Sequence, residues 1–226
     1  MFEFLEKSME NVAVILAGGS GARFGGEMPK QFVKIGGTPL IKLTVSKFAK
    51  RDDISKIIVV IIEEWLSETK KILAEYENIY IIFGGKTRTQ SSCNALKFIE
   101  KMKWQNSFVL IHDCARPFIA QSDISRLIKT NKEFDAVVLA GHSNNTLYSC
   151  ENGIVVEILN RSKVFEAQTP QCFHFQLIFS AYNKLQDGEN FTDDVSVILK
   201  YSPQTTVRIV ASQEKNTKIT YKHDAV

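Results

Sequence analysis

Behind a short apolar run the chain reads Leu16-Ala17-Gly18-Gly19-Ser20-Gly21-Ala22-Arg23-Phe24-Gly25-Gly26, followed by Met28-Pro29-Lys30-Gln31. Five glycines in nine residues let backbone N–H groups turn inward around an anion, which bulkier residues would block. Arg23 and Lys30 add the positive charge a triphosphate requires. The spacing is not the dinucleotide fingerprint, because after Gly19-x-Gly21 that motif needs a third glycine where Phe24 stands, and no G-x-x-x-x-G-K-S/T loop is present. A flexible glycine turn with two solvated cations has the same composition. Its place after the first strand, with both cations at hand, favours nucleotide phosphates.

Three more blocks carry chemistry. His112-Asp113-Cys114-Ala115-Arg116-Pro117 follows an apolar run, and a carboxylate at the carboxyl end of such a strand can hold Mg²⁺ against phosphate oxygens. An Asp113–Arg116 pair bracing the loop is the structural reading of the same residues. His112 reads as packing or a local hydrogen bond, since no nucleophile stands near it. Gly84-Gly85-Lys86-Thr87-Arg88-Thr89-Gln90-Ser91 follows another strand end and opens a helix, where the two glycines let a flat base approach the backbone and Ser91 could bond its edge. An ordinary N-cap at Thr89 or Ser91 would look identical. Thr192-Asp193-Asp194 reads as a helix start with Thr192 as the cap.

These blocks need a frame that holds them at one edge. Residues 12–17, 57–62, 79–83, 108–111 and 136–140 are short, almost wholly apolar runs, the pattern of sheet strands covered on both faces. Amphipathic stretches at 40–50, 64–76, 91–102 and 123–132 alternate with them, which predicts βαβ units and a mostly parallel sheet. The expected architecture is a three-layer α/β/α domain over 1–226 with a mixed central sheet. At 146–150 and 154–159 two strand-like runs flank Glu151-Asn152-Gly153, a hairpin signal. We read residues 144–170 as a projecting β-arm closed by Gln168-Thr169-Pro170-Gln171. Its apolar Val155, Val156 and Ile158 call for a partner surface, which suggests a homodimer. Helices at 175–185 and 193–200 and a strand at 206–210 complete the order.

Composition sets outer limits. The 226 residues are 44% hydrophobic and 23% charged, enough for one core and too apolar for disorder. Twenty-eight basic against 25 acidic residues leave +3, too balanced to argue for a nucleic-acid or membrane-surface partner. The longest apolar runs are six residues, far from a membrane span. The start carries two acids before its first lysine, unlike a signal peptide, and the four cysteines form no C-x-x-C pair. A soluble, cytoplasmic protein with reduced thiols is expected.

Taken together and in order, AGGSGARFG, PKQF, HDCARPF, EAQTPQCF and FTDD resemble the cytidylyltransferases of methylerythritol phosphate and ribitol 5-phosphate, over nearly the whole chain. The resemblance implies a Rossmann-like nucleotidyltransferase that moves CMP from CTP to a sugar-alcohol phosphate, releasing pyrophosphate. It implies CTP contacts at Leu16, Ala17, Gly18, Gly19, Gly21, Arg23, Lys30, Gly85 and Ser91, with cytosine read near Gly85 and Ser91. It assigns Asp113 to Mg²⁺ and substrate, and catalysis to Arg23, Lys30, Asp113 and Lys218. Substrate contacts fall on Asp113, Arg116, Thr146, Arg161, Thr169 and Lys218, with Thr146 and Arg161 reaching from one subunit into its partner's site. Two departures stand out. Gln90 replaces the family's usual Asp, and Lys218-Ile219-Thr220 continues as Tyr221-Lys222-His223-Asp224-Ala225-Val226 rather than T-P-x-D-L and a closing helix.

The phrases PKQF, Trp65 with Thr69 four residues on, and HDCARPF look more like the ribitol 5-phosphate branch, which is the favoured acceptor; methylerythritol phosphate is the alternative. A CTP-binding protein without turnover is a third reading, disfavoured by the joint presence of Arg23, Lys30, Asp113, Arg161 and Lys218. A dinucleotide-dependent reductase is disfavoured by the glycine spacing.

Overall fold

The computed structural model describes residues 9–19, 24 and 28–225. Its strands are β1 (Glu10–Leu16), β2 (Lys34–Ile35), β3 (Thr38–Pro39), β4 (Lys56–Ile61), β5 (Ile79–Phe83), β6 (Ser107–Asp113), β7 (Ala136–His142), β8 (Tyr148–Glu151), β9 (Ile154–Ile158), β10 (Phe165–His174) and β11 (Val207–Ala211). The helices are α1 (Leu40–Ala49), α2 (Leu66–Ile72), α3 (Arg88–Lys101), α4 (Gln121–Asn131), α5 (Phe175–Tyr182) and α6 (Asp194–Tyr201).

One seven-stranded sheet runs β11-β7-β10-β6-β1-β4-β5. The pairs β1–β6, β1–β4, β4–β5 and β7–β11 are parallel, whereas β10 lies antiparallel to both β6 and β7. Alternate residues of each strand feed two separate cores. Ala13, Ile15, Ile57, Val59 and Leu110 join Leu40, Ile41 and Phe48 of α1 and Ile124 and Leu127 of α4 on one face. Val12, Val14, Ile58, Val60 and Val109 meet Ala95, Leu96 and Ile99 of α3 with Phe175 and Ile178 of α5 on the other. Both faces being covered explains why these strands read as unbroken apolar runs, and the expected three layers are present. Phe24 is buried in the first of these cores, so the position that denies the dinucleotide fingerprint is a packing position.

Three expectations need correction. The segment containing Gln168-Thr169-Pro170-Gln171 does not close the arm but belongs to the central strand β10. A proline usually marks an edge or a break; here Pro170 sits where the β10–β7 register shifts between Ala167 and Gln171, so the ladder does not need its N–H. The helix expected at 64–76 is split into a 3₁₀ turn at Glu63–Trp65 and the short α2. The cap of α6 is Asp193, whose carboxylate accepts from the Ser196 N–H at 3.0 Å, rather than Thr192.

The arm itself is a separate two-stranded sheet, β8 with β9. Its turn has Asn152 and Gly153 at φ of 49° and 82°, the doubly left-handed geometry that makes Asn-Gly a hairpin signal. Ile154 and Ile158 are 69% and 67% exposed, so the arm buries little apolar surface within its own chain.

Candidate active site

The carboxyl ends of β1, β4, β5 and β6 lie side by side, the edge where parallel α/β sheets take their ligands. Main-chain bonds extend this edge past the strands. Ala17 N–H donates to the Val60 carbonyl, Gly84 N–H to Ile61 and Cys114 N–H to Leu16, at 2.8, 2.8 and 3.0 Å. The loops leaving them surround a cavity of about 590 Å³, which reaches Gly18, Gly19, Lys30, Ser91, Asp113 and Lys218. Leu16, Ala17 and Gly85 also line it. Gly21 and Arg23 lie outside the described residues.

The loop between β5 and α3 is built against its own helix. Ser91 Oγ donates to the Thr87 carbonyl at 2.9 Å and accepts from the Gly85 N–H at 3.1 Å. A Cβ on Gly85 would stand 2.3 Å from the Gln90 Cβ, so that position needs glycine for close approach. Gln90 accepts from the Lys86 N–H through Oε1 at 2.8 Å, so it braces this loop without the carboxylate the family usually carries there. Thr87 caps α3 by accepting from Gln90 N–H, not Thr89 or Ser91.

Asp113 ends β6 facing two cations. Lys218 Nζ donates to Oδ2 at 2.6 Å, and Arg88 Nε approaches Oδ1 at 3.4 Å. Burial alone would raise this carboxyl, but Arg88 and Lys218 outweigh it and hold it well below the usual carboxylate range. Arg88 continues to the buried Asp194 at 2.7 Å, and Asp194 accepts from the Tyr182 hydroxyl at 2.6 Å. Gln171 of β10 accepts from the N–H groups of Asp194 and Val195, anchoring the start of α6 that holds Arg88. Arg88 is the site residue that sequence reasoning passed over; its signal was a lone arginine in a loop assigned wholly to base contact.

Behind Asp113, the buried His112 is pushed by desolvation down to about 4 and stays neutral. Its Nε2 lies 3.0 Å from the Arg116 carbonyl and its Nδ1 3.0 Å from Thr169 Oγ1. Burial pushes the Cys114 thiol up to about 12, so the cysteine lining the cavity is no thiolate nucleophile.

Lys30 sits on a 3₁₀ turn after Pro29, and its Nζ donates to the Ile219 carbonyl at 3.0 Å. Lys30, Asp113 and Lys218 are thus brought together from three distant parts of the chain. Two expected substrate contacts are placed elsewhere. Arg116 does not line the cavity and donates instead to the Asn216 carbonyl at 2.7 Å. Thr169 is buried, its hydroxyl engaged by His112 and by the Asp113 N–H. Thr146 and Arg161 lie at the base of the arm, outside their own chain's cavity; Arg161 is exposed and donates to the Asn144 carbonyl at 3.3 Å.

A metal fits only in a particular way. Among the described residues no cluster of three or more His, Cys, Asp or Glu could hold one. Asp113 offers one carboxylate, which suits Mg²⁺ held mainly by a nucleotide's phosphates and not a protein cage.

Comparisons with known proteins identify the family. Residues 11–226 match the family model described as IspD, 2-C-methyl-D-erythritol 4-phosphate cytidylyltransferase. A protein of that name from Thermosipho melanesiensis is 44% identical over 95% of this chain and 94% of its own length. One from Petrotoga mobilis is 36% identical over 94% and 93%. The crystal structure of 4-diphosphocytidyl-2C-methyl-D-erythritol synthase from Anaerococcus prevotii superposes with a TM-score of 0.85 at 28% identity, covering 96% of this chain and 93% of that one. All three carry the methylerythritol name and not the ribitol one. Trp65, one of the residues resembling the ribitol branch, stacks on Phe32 with ring centroids 4.7 Å apart and serves packing. Among the described residues no helix is long and apolar enough to cross a membrane.

Proposed function

The chain belongs to the 2-C-methyl-D-erythritol 4-phosphate cytidylyltransferase family, and from that premise we propose that it transfers CMP from CTP to 2-C-methyl-D-erythritol 4-phosphate. The supporting observation is the joining of Gly18, Gly19, Lys30, Asp113 and Lys218 around one cavity at the strand ends. A phosphate oxygen of the acceptor attacks the α-phosphorus of CTP. The bond from that phosphorus to the bridging oxygen breaks, and pyrophosphate leaves with the electron pair.

No side-chain nucleophile is required, because a phosphate monoester with a second pKa near ~6 is already largely ionised at neutral pH. The barrier is the approach of one anion to another, and cations held in place lower it. Lys30 neutralises charge on the triphosphate, as Arg23 does in this reading. Gly85 and Ser91 receive the cytosine. Lys218 stands between Asp113 and the incoming phosphate. Mg²⁺ beside Asp113 supplies charge neutralisation across the phosphates when bound. Thr146 and Arg161 complete a partner subunit's site, the arms joining two chains.

Pyrophosphate release with CTP and Mg²⁺ tests the reading, with methylerythritol phosphate and ribitol 5-phosphate run side by side. Turnover with the first supports it. Turnover with ribitol 5-phosphate alone returns the chain to the other branch, and CTP binding without turnover removes the reaction.

A further inference from the structure

Lys218 is the most C-terminal residue of the cavity lining, and it sits on a strap stitched over the site from several sides. Upstream, Asn216 Nδ2 donates to the Thr169 carbonyl at 2.8 Å, while the Asn216 carbonyl accepts from Arg116. Ile219 donates its N–H to the Ala115 carbonyl at 2.8 Å and accepts Lys30 Nζ on its own carbonyl. Its side chain is buried in the core that includes Phe24 and Phe32.

Just beyond, the chain reverses. The N–H groups of Thr220 and Tyr221 both donate to Asp224 Oδ2, each at 2.8 Å, and the Asp224 N–H donates to the Tyr221 carbonyl at 3.1 Å. A 3₁₀ turn at Lys222–Ala225 carries that carboxylate. The two backbone donors hold its carboxyl below the ordinary range, so it accepts as an anion at neutral pH.

We propose that Asp224 is a positioning residue, whose carboxylate closes the strap that sets Lys218 against Asp113 and the Ile219 carbonyl against Lys30. It touches no reacting atom. A lysine ammonium rides on a flexible four-carbon stem, so its place depends on where its backbone and its carbonyl partner are held. Two cavity cations depend on this one strap: Lys218 through its own backbone, Lys30 through Ile219. A strap released at Asp224 therefore misplaces both together, and displacements of about 1 Å remote from the chemistry can cost ~100-fold.

The inference rests on the proposed transfer reaction, and the test separates the two. Asp224→Ala and Asp224→Asn are compared with wild type for kcat, KM, CTP affinity by calorimetry, and thermal midpoint. Asp224→Ala is expected to lower kcat/KM by about 10-fold or more, with the thermal midpoint little changed. Asp224→Asn, whose amide oxygen can still accept both N–H groups, is expected to recover most of the loss. Kinetics of Asp224→Ala within twofold of wild type overturn the role, as does an Asp224→Asn variant as impaired as the alanine. If wild type turns over neither acceptor, the reaction reading fails by itself. CTP affinity then decides, weakened in Asp224→Ala and restored in Asp224→Asn if the role holds, unchanged in both if it does not.

Discussion

Thr169 Oγ1 lies 3.0 Å from His112 Nδ1, and the proton on that contact belongs to the threonine. The Arg116 carbonyl can only accept, so His112 Nε2 carries the ring proton and the neutral Nδ1 must accept. Thr169 Oγ1 then donates to His112 and accepts from the Asp113 N–H at 3.0 Å. One hydroxyl of the antiparallel strand β10 thereby pins the end of the parallel strand β6 where the site carboxylate emerges.

Thr169→Val keeps the shape but leaves the Asp113 N–H and His112 Nδ1 unpaired in a buried place. We expect it to destabilise the fold by about 1–3 kcal/mol, read as a lower midpoint in denaturant, and to reduce turnover as Asp113 loses its brace. Thr169→Ser retains the hydroxyl and is expected to stay near wild type in both. A valine variant of unchanged stability would show that the hydrogen-bond chain carries no weight.

Lys30→Ala is expected to lower kcat by at least ~100-fold, the scale of losing one donor to a charged transition state. The sequence predicts the same of Arg23→Ala. Steady-state pyrophosphate release measures both, and a Lys30→Ala enzyme with near-normal kcat removes the lysine from the chemistry.

Two titrations act in separate pH windows. His112 has its folded value lowered to about 4, below the ordinary ~6.5, so protonation favours the unfolded chain. Stability is full above about pH 6.5 and falls, by up to about 3 kcal/mol, as pH drops toward 4. Asp113, also lowered, keeps its charge across that range, and its contribution is lost only below about pH 4. Thermal midpoints from pH 7.5 to 4.5 should decline for wild type and decline less for His112→Asn. Parallel curves would place the acid sensitivity elsewhere.

The arm's exposed apolar strip gives an assembly prediction. Ile154→Asp with Ile158→Asp should turn a dimer into a monomer in sedimentation, because charges replace the apolar face offered to a partner. CTP binding should survive, since Gly18, Gly19, Gly85 and Ser91 line the cavity without the arm, while turnover should fall if Arg161 serves a partner's site as proposed. A wild-type monomer with full activity would rule out a shared site.

Legibility in the sequence followed covalent distance. The parallel strands were readable because burial on both faces demands apolar residues at every position, and Asn152-Gly153 was readable because a turn is a local requirement. Strand β10 was not. Its apolar content is low and it contains Pro170; what makes it a strand is the slot between β6 and β7, which no local pattern announces.

The site divides along the same line. From sequence alone came the glycine loop, the charge of Lys30 beyond it, Asp113 at a strand end, and the family that uses them, since each is a short motif whose chemistry depends on neighbours in the chain. Only the tertiary structure joined Arg88 to both Asp113 and Asp194, put Lys218 on the carboxylate and turned Arg116 away to Asn216. Those pairings span from 25 to 106 residues of chain. Charges so far apart in sequence become partners because the packed sheet brings their elements together and buries Asp113 and Asp194, whose carboxylates then need cations beside them, a condition invisible in any one segment.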